Sequence, residues 1–215
     1  MSTVARSSVG TGLGRVLRAT PLTWGVVAVG LAIAATPGLE AWLEYDRETL
    51  VAGQVWRVLT GHLSHYSWSH LLWNLLGFAL LGVLCERTQR RGFQWTLALS
   101  IVLIPLGLWW GMPELSAYRG LSGLTSALFG LAAAHLVYQQ VRSGQPVRAW
   151  LSIVCCGGFV VTLAHTWLGG EAWLTTGYTD AVAPVPLSHA IGLAVGLGLA
   201  LAPARTRKED SPCLL

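Results

Sequence analysis

Residues 120–141 read GLSGLTSALFGLAAAHLVYQQV, without a single Asp, Glu, Lys or Arg. Roughly 20 consecutive apolar residues are enough for a helix to cross the hydrocarbon layer of a bilayer. Five more runs, 19–39, 58–85, 92–113, 149–170 and 181–204, are equally free of these four residue types and at least as suited to spanning. The chain as a whole is 53% hydrophobic and only 11% charged, too little polar surface to cover a soluble domain of this size. Unpaired sheet edges are excluded from lipid, so each run predicts a helix. The expected fold is all-α, a polytopic membrane protein of six transmembrane helices.

Threading the six spans with both termini on one side divides the 14 basic residues unevenly. Arg6, Arg15, Arg18, Arg87, Arg90, Arg91, Arg142, Arg148, Arg205, Arg207 and Lys208 fall on one side, and only Arg47, Arg57 and Arg119 on the other. The basic side is the cytoplasmic side, which places both termini in the cytoplasm and makes the inner membrane the expected location. The net charge of +4 then follows from topology. The basic residues form no stripe, which excludes nucleic acid as a partner. Most of the eleven tryptophans fall at or near expected helix ends, as interfacial rings should.

The organisation expected is a cytoplasmic tail over 1–20, one membrane domain over 21–203 and a second cytoplasmic tail over 204–215. No cleavable signal peptide is expected, because the apolar run from Pro21 is long enough to span. Cys213 stands one residue short of a prenylation box. Residues 40–69 are too polar to span, and their apolar part, Leu50 to Leu63, is expected at the interface. Gly157 and Gly158 in the fifth span read as small-residue packing rather than as a gate.

Polar groups inside membrane helices are expensive, so those at one depth are worth collecting. His70 and Asn74 open the second span from outside, Ser122 the fourth and His189 the sixth. His70 and Asn74, four apart, share a helix face. Ser122 lies between Gly120 and Gly123 at a loop-to-helix junction, where free amides and the helix dipole suit a developing oxyanion. A serine hydroxyl needs a base, and His189 is the candidate. Gly123 and Ala127 in the fourth span and Gly192, Gly196 and Ala200 in the sixth form small-residue stripes that can pack backbone to backbone, bringing Ser122 and His189 together. The alternative stays open that Ser122 is a helix cap and His189 an ordinary hydrogen-bonded side chain.

From Val55 to Leu201 the chain resembles the rhomboid intramembrane serine proteases. Trp56-Arg57 with Thr60 is similar to the family's first-loop motif, His65-Tyr66-Ser67-Trp68-Ser69-His70 with Asn74 to its second-helix signature, Gly120-Leu121-Ser122-Gly123 to its nucleophile motif, and His189-Ala190-Ile191-Gly192 with Gly196 to its sixth-helix motif. The resemblance implies a Ser122–His189 dyad with no acidic third member, Asp180 included. It implies an oxyanion site of His70, Asn74 and the Ser122 amide, with the Leu121 amide assisting. One position departs from the pattern: where a tyrosine commonly stacks on the base, four residues after the nucleophile, this chain has Ser126. The Trp56 to His62 and Tyr118 to Gly123 stretches most resemble the rhombosortases. That subgroup implies removal of GlyGly-CTERM tails from exported proteins, with transmembrane or C-terminally anchored proteins as substrates.

Other readings are weaker. His62, His65 and His70, or His135 and His165, could be read as metal or haem ligands, but the glutamate of a zinc hydrolase motif is missing and no cysteine lies near. A transporter would need charged mid-membrane groups or an inverted repeat. A non-catalytic binder would have no reason to keep both Ser122 and His189. No cofactor, metal or nucleotide is implied, since there is no phosphate-cradling glycine loop or carboxylate cluster.

Overall fold

A computed structural model describes residues 8–168 and 185–201. The loop carrying Asp180 and the C-terminal tail with Cys213 lie outside these residues. Ten helices occur among the described residues: α1 (Ser8–Ala19), α2 (Pro21–Ala34), α3 (Leu39–Leu43), α4 (Arg47–Val51), α5 (Arg57–Thr60), α6 (Trp68–Thr88), α7 (Arg90–Gly111), α8 (Ser122–Arg142), α9 (Pro146–Trp167) and α10 (Pro186–Leu201). The charge-free runs correspond to α2, α6, α7, α8, α9 and α10. Two of these, α6 and α7, are long and apolar enough to cross a membrane by length and composition, while α2, α10 and Pro146–Thr162 of α9 are shorter apolar helices.

Three features differ from the expectation. Residues 8–19, read as tail, form α1. The fold is not wholly helical: β1 (Tyr45–Asp46) pairs antiparallel with β2 (Ala117–Tyr118), with Tyr45 opposite Tyr118 and Asp46 opposite Ala117. Two-residue strands carry no periodic signal, so the sequence could not announce them. The ribbon nonetheless ties the long first loop to the segment that leads into α8. Third, Gly157 and Gly158 do not mark close packing among the described residues, none of which has a heavy atom within 4 Å of where either Cβ would stand.

Arg47, Arg57 and Arg119 are each tied up in the first loop and its neighbours. Arg47 caps the end of α7, donating to the carbonyls of Trp109 at 2.8 Å, Met112 at 3.2 Å and Leu115 at 3.3 Å, with its guanidinium 4.3 Å from the Trp109 ring. A cation there meets carbonyls that have no intrahelical donor. Buried Arg57 donates to the carbonyls of Ala41 at 3.0 Å and Glu44 at 2.9 Å and to Gln54 at 2.8 Å. Arg119 bridges to Glu44 at 2.7 Å.

Glu86 lies buried near the end of α6. Its buried carboxylate accepts from the Leu22 amide at 3.1 Å, the Thr23 amide at 2.9 Å and the Thr23 hydroxyl at 2.7 Å. It therefore caps the first turn of α2, which Pro21 opens, from 63 residues away. The centre of the bundle is α8 with α10 laid against it. A Cβ on Gly192 would strike the Gly123 carbonyl, and one on Gly196 the Ala127 carbonyl. On its other side α10 sends Ile191 and Leu187 into the space left by Gly107 and Gly111 of α7.

Candidate active site

The start of α6 is built locally. The Ser67 hydroxyl accepts from the His70 amide at 3.2 Å as a helix cap. One turn on, the Asn74 side-chain amide donates to the His70 carbonyl at 2.8 Å. Both His70 and Asn74 are buried. The His70 ring is stacked on Tyr66, with centroids 6.0 Å apart and planes 8° from parallel, and meets His65 edge-on at 5.1 Å. Arg119 lies 5.0 Å over Tyr66 and donates to the His65 carbonyl at 3.3 Å. The His70 ring is thus held by two first-loop aromatics, themselves braced by the residue that precedes Gly120.

Gly120 brings the nucleophile motif against that ring. Its φ is +121°, a backbone conformation that L side chains rarely adopt. A Cβ there would also lie 3.0 Å from His70 Cε1 and Nε2, so two independent constraints select glycine. The Gly120 amide donates to the Gly61 carbonyl at 3.1 Å. After Gly120 the chain turns straight into α8, whose N-cap is Leu121 and carries no side-chain cap bond. Ser122 is therefore the first helical residue and not the cap, which disposes of the plainest structural role open to it. The first-turn amides of α8, including those of Leu121 and Ser122, have no intrahelical acceptor.

The third piece comes from α10. The Ser188 carbonyl faces Gly123, 3.2 Å from its Cβ position, and the Gly123 carbonyl faces Gly192. His189 therefore enters one residue after a backbone contact with the residue that follows Ser122. His70 and Asn74 stand near the start of α6, Ser122 at the start of α8 behind its N-cap Leu121, and His189 in the first turn of α10; α10 meets α8 backbone to backbone at Gly123 and Gly192, and the His70 side chain abuts Gly120. Ser126 does not occupy the place of a stacking tyrosine: its hydroxyl donates to the Ser122 carbonyl at 2.9 Å, within α8.

Sequence reasoning missed Tyr118, Tyr66, Arg119 and Ser188 as contributors. Tyr66, Tyr118 and Arg119 lie within quoted motifs but reveal nothing by residue type alone, and Ser188 had only its place beside His189 as a signal. His62 and His135, weighed above as metal ligands, have other partners. His62 Nε2 lies 3.2 Å from the Ile101 carbonyl, and its ring meets Tyr118 edge-on at 5.7 Å. His135 bonds Gln139 at 2.7 Å, one turn along α8. Among the described residues, no three His, Cys, Asp or Glu side chains group to hold a metal.

His62 and His65, in the loop between α5 and α6, are buried neutral. Burial holds His62 down to about 4, only partly offset by the Ile101 and Gly120 carbonyls. Burial, then His70 and Arg119, holds His65 to about 3 against the Leu63 carbonyl. The unfolded chain protonates a histidine near 6.5, so it binds more protons than the folded chain below that pH. The contribution of neutral His62 is complete above pH 6.5 and is lost as pH falls towards 4, on the order of 3 kcal/mol over the window. The thermal midpoint of the wild type is expected to fall through this range. In His62→Gln, which keeps a donor for Ile101, the fall should be shallower. Parallel pH curves for the two proteins would remove His62 as the cause.

The sequence model of one protein family, the Rhomboid domain, matches residues 52–205.

Proposed function

The chain belongs to the rhomboid family, whose members are typically intramembrane serine proteases, and on that premise we propose that it cleaves peptide bonds within a membrane by a Ser122–His189 dyad. The match and the apolar helices make it an integral membrane protein. Six spans, cytoplasmic termini and a site near the periplasmic face of the inner membrane complete the reading, supported by the division of basic residues. The observation that supports it is the backbone contact between Gly123 and the Ser188–Gly192 turn, which lays the turn containing His189 against the start of α8, where Ser122 is not needed as a cap.

In this reading His189 takes the proton from the Ser122 hydroxyl as its oxygen attacks the scissile carbonyl, and returns it to the leaving amine. The negative oxygen is met by the amides of Ser122 and Leu121 at the start of α8, by the second N–H of Asn74 and by His70. Water then hydrolyses the acyl-enzyme, with His189 again as base. The substrate is a transmembrane or C-terminally anchored segment. A glycine-rich break suits it, because a helix must unwind before a carbonyl can reach Ser122. The finer assignment is the rhombosortase one, removal of GlyGly-CTERM tails.

Purified protein in liposomes, offered one transmembrane reporter with a GlyGly tail and one with a generic rhomboid substrate segment, separates these levels. Preferential cleavage of the first is expected. Equal cleavage of both would leave a general rhomboid protease, and cleavage of neither by folded protein would favour a membrane-protein binder.

A further inference from the structure

The phenol of Tyr118 reaches the point where α8 and α10 both begin. The ring is buried, held by the strand pairing with Tyr45 and by the edge of His62. Its hydroxyl donates to the Gly120 carbonyl at 3.1 Å. The same oxygen lies 3.2 Å from where a Gly123 Cβ would stand, with the Ser188 hydroxyl, the Gly123 amide and the Ser122 hydroxyl as its polar neighbours. A phenol has one proton and two acceptor sites. The Ser188 hydroxyl gives its own proton to the Val185 carbonyl at 2.7 Å, so the phenol proton turns between the Gly120 carbonyl and the oxygens of Ser188 and Ser122, and the Gly123 amide is the donor left to the phenol oxygen. Burial pushes the phenol up to about 12, so it is neutral in use and serves as a fixed hydrogen-bonding post, not as a base.

We propose that Tyr118 is a positioning residue for the dyad, its hydroxyl fixing the rotamer of Ser122 and, through Ser188, the height of the α10 turn that carries His189. The proposal rests on the dyad reading of the preceding subsection. It also accounts for a bundle in which Ser126, bonded within its own helix, leaves the post to a residue on the strand side. Because Ser122 and His189 sit on different helices, a group that touches the first turn of both can hold their separation. Loss of one such hydrogen bond is expected to slow the chemical step without altering how the transmembrane segment binds.

The test uses the full chain in liposomes: wild type, Tyr118→Phe, Ser188→Ala and Ser122→Ala. Fluorophosphonate labelling rate, kcat and KM for a transmembrane reporter, and thermal midpoint are measured together. Tyr118→Phe should lower labelling rate and kcat about tenfold with KM and midpoint unchanged, and Ser188→Ala should shift kcat the same way by less. Wild-type rates in Tyr118→Phe overturn the proposal, and so does a loss shared between KM and midpoint, which marks a purely structural role. If Tyr118→Phe is unstable, Ser188→Ala decides, an unchanged kcat there being equally fatal. Labelling of wild type but not of Ser122→Ala keeps the dyad standing in every one of these cases, whereas folded wild type that takes no label removes the dyad and the proposal with it.

Discussion

Ser122→Ala is expected to take no fluorophosphonate label and to cut a transmembrane reporter at least about 10⁴-fold more slowly than wild type, with an unchanged thermal midpoint. The size of the loss follows from the proposed role: without an oxygen at position 122 no acyl-enzyme forms, and what remains is the oxyanion site acting on water. The unchanged midpoint follows from the structure. Ser122 is only partly buried, is not the N-cap of α8, and alanine is the best helix former, so removing its hydroxyl opens no cavity and uncaps no helix. His189→Ala should match it in both readouts, since members of a unit fail together. A label that persists in Ser122→Ala would move the nucleophile elsewhere. A His189→Ala protein labelled at the wild-type rate would leave Ser122 without its base.

The helices were legible because lipid makes charge a boundary marker: α7, α8 and α9 begin and end within a few residues of the charges bounding their runs. Charge alone would start α6 at residue 58, but residues 40–69 read as a loop with His70 opening the span, and α6 begins at Trp68. The residues between are apolar but are shaped by the Arg57 bonds to Ala41 and Glu44, contacts with no local signature. Ser122, His189, His70 and Asn74 stood out because a polar side chain in an apolar run is conspicuous. Tyr118, Tyr66 and Arg119 did not, because they lie in loops where polar and aromatic residues are ordinary, and only the folded contacts make the Tyr118 hydroxyl reach α8 and α10. The role of Glu86 has no local signature, since it accepts from backbone amides 63 and 64 residues distant and a sequence does not show which amides are free.

Gly192→Val is expected to abolish activity and to prevent assembly of a stable bundle, while Gly198→Ala, two turns along the same helix, should be harmless. The contrast isolates close approach from glycine content. A Cβ at 192 would run into the Gly123 carbonyl and stand 3.2 Å from the Ala127 amide, and both are backbone of α8 that no rotamer change can clear. At Gly198 none of the described residues lies within 4 Å, so a methyl there meets no neighbour among them and the gain in helix propensity is roughly 1 kcal/mol. Overpacking at a side-chain contact costs about 1–3 kcal/mol; against two backbones the helices must separate instead. Gly192→Ala is the graded version. Should the bundle survive it, α10 is displaced where it carries His189, and a shift of about 1 Å between reacting groups is enough for roughly a 10²-fold loss. Its kcat should therefore fall further than its thermal midpoint would suggest. Wild-type kcat in Gly192→Ala would mean that Ser122 and His189 do not depend on this contact for their alignment, and the small-residue stripe would then be packing alone.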